Sequence, residues 1–559
     1  MGTSDIELTN RLTDPGAFEL SDSDDSAFGP SSSSRAGLLG DRTSRKPNPR
    51  HHTPPRWARW LFWYPSTGRS PRRRFRRCRN VCSALAGAVA ALTVINILFF
   101  PSYTKSLYPP NYNIIEDSVR SGGGINPAFL WHTPPDSDGH AKTTTPGRGN
   151  PNNERIFIAA NIVDAELITS EWGDRVMELL DLLGPKNVFL SIFENDSGNA
   201  TTQALQTLDQ RIAAHMPDAG RAIVSTTLPL DSVPRLKLPD KTTYIKRISY
   251  LAEIRNRALL PLVGAIPSLA RWNQSAHPEF LTPTSYPLSK WEVLAPLASS
   301  DLTRKPALPP NWVNKSEGVT RILFLNDVVF SPLELLHLLF STHNGSYAAA
   351  CGADYINPLK FYDTFATRDP AGYPLGVPFF PYFATEGPRA QVLASSDAVD
   401  VASCWGGAIA FNASYFTRET EPVRFRSEKE PFWDASECCL VNADLAAPGE
   451  VFMNPFVRSA YTRRTFNWLP VVRRFERLFH LPHRILVRLL AMPWPGSRRH
   501  VEEGEVYTEK AWDGEGWVEW NVTAGKGMWC GGRKLLVMNE HRKPGERSWM
   551  GLELPPVPE

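Results

Sequence analysis

The fold is decided by the stretch RIFIAANIVDAELITSEWGDRVMELLDLLGPKNVFLSIFENDSG, residues 155–198. Two short apolar runs, at residues 156–160 and 188–193, have the length and composition of buried strands. Between them, residues 168–183 repeat apolar side chains at helical spacing and end at Gly184-Pro185, a combination that stops a helix. A strand, a helix and a second strand in this order predict a crossover unit with parallel strands.

The same alternation continues along the chain. Further helices are predicted at residues 201–214, 245–262 and 332–340, and further strands at residues 222–226, 321–325 and 347–351. This order of elements predicts an α/β fold with a doubly wound, mostly parallel sheet. In such sheets ligands bind at the carboxyl ends of the strands, so the chemistry is expected there.

The chain before this alternation has a different character. Residues 1–80 are rich in Ser, Pro and Arg with little apolar periodicity, which predicts a disordered tail. Residues 81–100 carry no charge and would span a hydrocarbon core of roughly 30 Å as a helix. Seven Arg between residues 69 and 79 place the tail in the cytosol, which predicts a single-pass, type II membrane protein; a buried core helix is the alternative. Residues 101–153 are rich in Pro, Gly, Ser and Thr, as expected of a flexible stem.

Charge and cysteine content narrow the function classes. The 61 basic and 58 acidic residues leave a net charge of +3, which argues against a nucleic-acid partner recognised through overall charge. Seven Asn-x-Ser/Thr sequons follow the predicted anchor, as lumenal exposure requires, at Asn195, Asn199, Asn273, Asn314, Asn344, Asn412 and Asn521. Five cysteines follow it too, enough for two disulfides and one leftover thiol, at Cys351, Cys404, Cys438, Cys439 and Cys530. A structural zinc site is the weaker alternative, because no CxxC pair is present.

Polar side chains follow two of the predicted strands. Glu194 and Ser197 come after the strand at residues 188–193, and Asp327 comes after the strand at residues 321–325. Each has an ordinary interpretation, as a polar turn or a capping aspartate. A lumenal, membrane-anchored α/β domain with acids at strand ends nevertheless suggests a Golgi glycosyltransferase. Such an enzyme binds a nucleotide sugar, and a carboxylate can hold Mn²⁺ or Mg²⁺ on its diphosphate.

The sequence resembles the fungal α-1,3-mannosyltransferase family, to which the cryptococcal capsule-associated mannosyltransferase belongs. The resemblance covers residues 155–461 and rests on the order and spacing of several blocks rather than on any single one. The blocks are residues 189–194 with 196–198 and Thr201, residues 252–259, residues 324–328, residues 362–365 with Arg368 and Asp369, residues 403–407, residues 436–440 with Asp444, and residues 454–457.

The resemblance implies a GT-A-like fold in residues 154–461, a GDP-mannose donor, a mannose-containing acceptor and α-1,3 linkage. It places Asp327 at the metal and makes Glu437 or Asp434 the catalytic carboxylate, with Asp444 as a rival. It assigns the donor to Glu194, Ser197, Arg255, Asn256, Asn326, Trp405 and Gly406. It assigns the acceptor to Asp363, Arg368 and Asp369, for which a structural salt bridge is equally compatible.

Three further expectations accompany the resemblance. The preferred disulfide joins Cys404 to Cys438 or Cys439, and Asn195 should carry little glycan because it lies in the donor loop. Residues 462–559 are expected to form an extension packed on the catalytic domain. The alternatives are a non-catalytic, membrane-anchored factor of polysaccharide assembly or export, and a transferase that uses another donor such as a UDP-sugar.

Overall fold

The fold is described from a computed structural model of the 559-residue chain. The described residues are 71–99, 108–124, 144–264 apart from 229 and 239–241, 292–294, 318–493 apart from 419, 429 and 446, and 503–554 apart from 513–516 and 543–545. Of the disordered tail predicted at residues 1–80, residues 1–70 therefore lie outside the described residues, whereas residues 71–80 belong to a helix.

A nine-stranded sheet forms the centre of the described structure. Its first four strands in chain order are β1 (Ile156–Ala160), β2 (Val188–Glu194), β3 (Gly220–Ser225) and β7 (Arg321–Leu325). The other five are β8 (Ala349–Asn357), β9 (Lys360–Phe361), β10 (Val399–Asp400), β11 (Ala408–Asn412) and β13 (Val451–Ala460). The order across the sheet is β3-β2-β1-β7-β11-β8-β13-β10, with β9 paired to β8.

Most strands of this sheet run in one direction. β1, β2, β3 and β7 pair in parallel, and β8 pairs in parallel with β13. β11 is antiparallel to both of its neighbours, β7 and β8, so these two groups share one direction. The predicted mixed α/β fold with a mostly parallel sheet is confirmed, and the inserted antiparallel β11 is a feature that the sequence pattern did not reveal.

Helices cover both faces of the sheet. Helix α1 (Pro71–Phe99) belongs to a different unit of the chain. The other helices before β7 are α2 (Tyr112–Ser121), α3 (Ala165–Thr169), α4 (Glu171–Leu183), α5 (Asn199–His215), α6 (Arg247–Ala258) and α7 (Leu260–Gly264). Those after β7 are α8 (Pro332–Leu336), α9 (Glu386–Leu393), α10 (Ser414–Thr417), α11 (Glu437–Leu445), α12 (Arg463–Arg473) and α13 (His480–Leu489).

Strand alternation explains why both faces are buried. In β1, Ile156 and Ile158 pack into one core cluster with α4 and α5, and Phe157 packs into the other with α6. Successive side chains of a strand point to opposite faces, so an all-apolar strand needs a helical layer on each side. Helix α6 thereby comes to lie over the ends of the strands that carry the predicted site.

Smaller sheets complete the fold. They contain β4 (Arg235–Lys237), β5 (Thr243–Ile245), β6 (Glu292–Leu294), β12 (Trp433–Ala435), β14 (Val506–Trp512), β15 (Trp517–Thr523), β16 (Gly531–Arg533), β17 (Leu536–Met538) and β18 (Trp549–Gly551). β16 pairs with β12, so residues of the C-terminal extension join a strand of the predicted catalytic domain.

The predicted helix at residues 168–183 is interrupted at its start. Ser170 has φ −126° and ψ −116°, which separates α3 from α4. Asp164 caps α3 by accepting hydrogen bonds from the backbone N–H groups of Glu166 and Leu167. The capping side chain favours a helix start upstream of the apolar repeat, which is why periodicity alone missed it.

The predicted anchor and stem are only partly visible. Helix α1 includes residues 81–99 and forms part of a unit separate from the main body. Across the residues described, none of the helices combines the length and apolar character needed to cross a membrane. The structure therefore gives no support to the transmembrane helix predicted at residues 81–100.

Part of the predicted flexible stem is folded against the core. Tyr112 of α2 is buried, stacks on His337 at 4.0 Å between ring centroids, and accepts a hydrogen bond from the Asn454 amide at 2.7 Å. Arg148 forms a buried ion pair with Asp181 at 2.6 Å. These contacts fix residues that composition alone assigned to a spacer, because a few large side chains suffice to dock a Pro- and Gly-rich segment.

The disulfides differ from the predicted pairing. Cys351 bonds to Cys404 and Cys439 bonds to Cys530, whereas Cys438 is a buried free thiol. The preferred pairing of Cys404 with Cys438 or Cys439 is therefore wrong. The reason is that β8 and the segment before β11 bring Cys351 beside Cys404, while Cys439 faces the C-terminal segment. Two disulfides with one thiol left over is the number that the cysteine content predicted.

Candidate active site

A narrow cavity lies where β7 ends and helix α6 crosses the sheet. Among the predicted site residues, those that line it are Arg255, Asn326, Asp363, Trp405 and Glu437. Its volume is about 50 Å³, room for a few water molecules at roughly 10–15 Å³ each. This volume has room for one polar group of a ligand and not for a whole nucleotide sugar, since ligand pockets commonly measure about 300–1,000 Å³.

Arg255 and Glu437 form a buried ion pair in this cavity. Arg255 Nε donates to Glu437 Oε1 at 2.9 Å, and both side chains are under a tenth exposed. The Arg255 guanidinium also lies 4.5 Å from the centre of the Trp405 ring, within cation–π range. The predicted donor-binding arginine and the predicted catalytic carboxylate therefore hold each other in place.

The Trp405-Gly406-Gly407 turn forms one wall. Gly406 has φ +58°, and a Cβ on it would lie 2.0 Å from the Gly352 carbonyl oxygen, so only glycine fits there. Asp363 Oδ2 accepts the backbone N–H groups of Trp405 at 3.0 Å and Gly406 at 3.2 Å. Trp405 is 4% exposed, and its predicted donor-binding role, like that of Gly406, stays a prediction.

Asp354 is a cavity residue that sequence reasoning missed. Its Oδ1 accepts the Asp363 N–H at 3.0 Å and its Oδ2 accepts the Tyr461 hydroxyl at 3.0 Å. Burial, reinforced by the charge of Asp363, raises the pKa of Asp354 to about 7. The predicted strand stopped at Cys351, which placed Asp354 in a loop. The signal that was available is the alternation that continues through Ala353 and Tyr355.

Asn326 and Asp327 follow β7 as predicted. The Asn326 backbone is held on both sides, since its N–H donates to the Gly407 carbonyl at 2.9 Å and its carbonyl accepts the Trp172 indole N–H at 3.0 Å. Asp327 is half-buried, and burial raises its pKa to about 6, with the charge of Asp164 acting in the same direction. Two carboxyl groups close enough to disfavour each other's charge would be relieved by a cation.

Asp327 and Asn326 fit a divalent cation whose remaining ligands come from the substrate and from water. In the part of the chain described, no cluster of three or more His, Cys, Asp or Glu side chains is arranged to hold a metal ion. Mg²⁺ is commonly bound by one or two carboxylates together with substrate phosphates and water. The partly buried Asp327 and the Asn326 amide beside the cavity match that smaller donor set.

The Glu194 loop lies apart from the cavity lining. Glu194 is buried; its Oε1 accepts the Ser197 N–H at 2.5 Å, and its Oε2 accepts the Ser225 hydroxyl. Asn195 Nδ2 donates to the Tyr250 hydroxyl and its Oδ1 accepts the Leu228 N–H, each at 2.5 Å. The carboxylate of Glu194 is thereby used to shape its own turn. Its donor-binding role, like that of Ser197, stays a prediction.

Several other predicted residues bind the protein backbone. Asn256 exchanges two hydrogen bonds with the backbone of Phe425, at 2.8 and 3.0 Å. Arg368 donates to the carbonyls of Thr364, Thr367 and Cys530, and Asp369 accepts the N–H groups of Ala371 and Tyr373. Asp434 is buried in β12, and Asp444 pairs with Arg426 at 2.7 Å. The cavity lining in the described residues does not include these side chains.

In a mostly parallel α/β sheet, ligands bind at the carboxyl ends of the strands, which is where this cavity with its acids and arginine lies. The family model described as Cryptococcal mannosyltransferase 1 matches residues 155–280 and 289–444, just over half of the chain. The chain belongs to this mannosyltransferase family, which confirms the family resemblance. All cavity residues except Tyr461 fall inside the matched ranges.

Two further comparisons add little. A search of curated protein sequences found no match. A similar solved structure is the mannosyltransferase PcManGT from Pyrobaculum calidifontis in complex with GDP-Man and Mn2+, at 11% sequence identity over 74% of this chain and 76% of that chain. Its TM-score is 0.27, which is too low to support an argument about fold or ligands.

Proposed function

We propose that the chain transfers mannose from GDP-mannose to a mannose-containing glycan or polysaccharide, in α-1,3 linkage. The observation that carries the proposal is the coincidence of the family match with the cavity, because the matched ranges contain the lining residues Arg255, Asn326, Asp354, Trp405 and Glu437. The GT-A type of fold belongs to this proposal as well, supported by the mostly parallel sheet and the acid at the end of β7.

The reaction breaks the bond between mannose C1 and a diphosphate oxygen and forms a bond from C1 to an acceptor hydroxyl oxygen. Charge develops on the diphosphate, and a fixed guanidinium such as Arg255 stabilises it without reorganising. Glu437 orients that guanidinium through the 2.9 Å ion pair. The acceptor hydroxyl loses a proton, and a carboxylate with a pKa near 7, as at Asp354, suits its uptake at neutral pH.

A divalent cation, Mn²⁺ or Mg²⁺, belongs to the proposal. Asp327 would hold it, with the side-chain carbonyl of Asn326 as a second oxygen donor. Bound there, the cation would supply positive charge to the departing diphosphate.

The proposal includes a lumenal position in the Golgi, with a type II anchor near residues 81–100. Its support is the pair of disulfides, Cys351–Cys404 and Cys439–Cys530, which form and persist in an oxidising compartment. Protease protection of sealed membranes carrying the full-length chain tests it. Cleavage of the folded domain without detergent would refute the lumenal placement.

GDP release by the full-length chain in detergent tests the activity, with GDP-mannose, Mn²⁺ and an α-mannobiose acceptor. We expect Asp327→Asn to lower the rate by about 100-fold, as loss of a group that positions charge at the reacting centre does. Asp218→Asn, an exposed carboxylate paired only loosely with Lys186 at 3.9 Å, serves as the matched control.

The outcomes of this assay separate the alternatives. Absence of GDP release by the wild-type chain would support the non-catalytic assembly factor instead. Stronger inhibition by UDP than by GDP would point to a different donor. An Asp327→Asn variant as active as Asp218→Asn would remove Asp327 from the site.

A further inference from the structure

Helix α6 presents two arginines to the same cavity. Arg247 and Arg255 both line it, and Leu251 lies between them on the same face. At 1.5 Å per residue, their positions are about 12 Å apart along the helix axis. The cavity therefore has one cation near each end of a single helical wall, of which the sequence patterns singled out only Arg255.

The two guanidinium groups differ in how their charge is balanced. Arg255 is paired with Glu437 at 2.9 Å. Arg247 is 5% exposed, its Nε has no hydrogen-bond partner, and no carboxylate among the described residues lies within ion-pair distance of it. The Arg247 guanidinium lies 5.6 Å from the centre of the Phe365 ring, and burial raises the pKa of the Asp434 carboxyl while the charge of Arg247 acts in the opposite direction.

A buried guanidinium without a counter-ion is costly for the folded state. Removing a charged group from water is compensated only when an opposite charge and hydrogen bonds replace the lost hydration. Arg255 has both kinds of partner inside the protein, and Arg247 has neither at ion-pair distance in the described structure. Its position at a cavity wall points to a ligand that supplies the missing anion.

We propose that Arg247 binds the diphosphate of the nucleotide donor within this cavity. The inference rests on the proposed function. The diphosphate is the anionic part of a nucleotide sugar, and mannose and a neutral acceptor offer no charge. A guanidinium binds phosphate oxygens through two parallel N–H donors. The space of about 50 Å³ beside it suits one phosphoryl group.

Under this assignment the two arginines have separate tasks. Arg247, which has no ion-pair partner among the described residues, provides the charge that attracts and holds the diphosphate. Arg255, which Glu437 holds in place at 2.9 Å and which lies 4.5 Å from the centre of the Trp405 ring, stabilises the charge that develops on the diphosphate as its bond to mannose breaks. The specificity of the cavity for a nucleoside diphosphate over a nucleoside then depends on Arg247.

Calorimetric titration of the full-length chain with GDP and with guanosine tests this. We expect Arg247→Gln to weaken GDP binding by about 10- to 100-fold, the range for losing a charged hydrogen bond, and to leave guanosine binding unchanged. Arg247→Lys keeps the charge without the forked geometry and should lose less. Arg257→Gln is the matched control, because Arg257 is on the same helix and pairs with Glu253 at 2.7 Å.

The thermal unfolding temperature of each variant shows whether a loss of GDP binding comes from the binding site or from loss of the folded state. We expect Arg247→Gln to unfold near the wild-type temperature, because the substitution breaks no ion pair among the described residues and removes only the longer-range attraction to Asp434. If Arg247→Gln fails to fold, Arg247→Lys decides the question through its own loss of GDP affinity. GDP affinity within twofold of wild type in a folded Arg247 variant overturns the inference, and so does a change confined to the acceptor KM.

The same titrations separate this inference from the proposed function. Wild-type protein that binds UDP but not GDP, with a loss in Arg247→Gln, would refute the GDP-mannose donor and support the role of Arg247. Equal GDP affinity in the wild-type protein and in Arg247→Gln would refute the role of Arg247 and leave the GDP-mannose donor standing. Wild-type protein that binds neither nucleotide would refute both.

Discussion

Replacing Glu437 by Gln would test whether the buried ion pair organises the cavity. The variant keeps the shape of the side chain but leaves Arg255 charged and buried beside Trp405. Breaking a buried pair by removing one partner costs about 3–5 kcal/mol. The cation–π contact at 4.5 Å survives in the variant, so we expect the low end, about 3 kcal/mol, and loss of mannosyl transfer.

Urea unfolding of the full-length chain, followed by tryptophan fluorescence, measures this change. The midpoint should fall with an unchanged slope. Arg255→Gln should cost a similar amount, and the double variant should cost about 2 kcal/mol less than the sum, because the two groups interact directly. The matched control is Glu253→Gln with Arg257→Gln, a more exposed pair on the same helix worth about 0.3–0.5 kcal/mol.

Two results would refute this reasoning. One is a loss below about 1 kcal/mol in both Glu437→Gln and Arg255→Gln, which would mean that water reaches the pair. The other is strict additivity in the double variant, which would mean that the two side chains do not contact each other in solution.

Other consequences of the structure can be measured separately. Cys530→Ser opens a disulfide that closes a loop of 91 residues, so it should lower the free energy of unfolding by about 4–5 kcal/mol. Cys438→Ser, at the free thiol, should lower that free energy by less than about 1.5 kcal/mol, and equal losses in the two variants would contradict the pairing. The pKa of Asp354 is raised to about 7 in the folded state, so the contribution of this group to stability is present at about pH 4 and is lost as the pH rises through about 7. Thermal melts of Asp354→Asn at a series of pH values should lack this pH dependence. Asn195→Gln should leave the electrophoretic mobility unchanged and Asn412→Gln should increase it, because the Asn195 amide is hydrogen-bonded inside the fold and Asn412 is exposed; an equal shift would show that Asn195 carries glycan.

The central strands were predictable because their burial is complete. β1 and β7 have the limits that the sequence predicted, since strands covered on both faces consist almost entirely of apolar residues. β11 was missed because it is short and follows two glycines whose role is a turn. The position of Asp354 in β8 was missed because the strand extends past the residues that pattern reading assigned to it.

The candidate site was predictable only in part, and for a chemical reason. Arg255 and Glu437 lie 182 residues apart in sequence, and the fold brings them to 2.9 Å. Glu194 and Asp369 are acidic residues like Glu437. Their carboxylates, however, accept hydrogen bonds from nearby backbone or hydroxyl groups instead of lining the cavity. Sequence alone does not separate an acid that faces a ligand from one that closes its own turn, because both occur in polar loops.

The disulfide between Cys439 and Cys530 has a consequence for how the protein is made. Cys439 belongs to α11, the helix that begins with Glu437, and β16 just after Cys530 pairs with the strand that precedes this helix. The covalent link from this helix to Cys530 therefore forms only after the ribosome has delivered nearly the whole chain. A polypeptide released early would lack that link to the helix that carries Glu437, and the oxidation state of one cysteine pair reports whether synthesis reached that point.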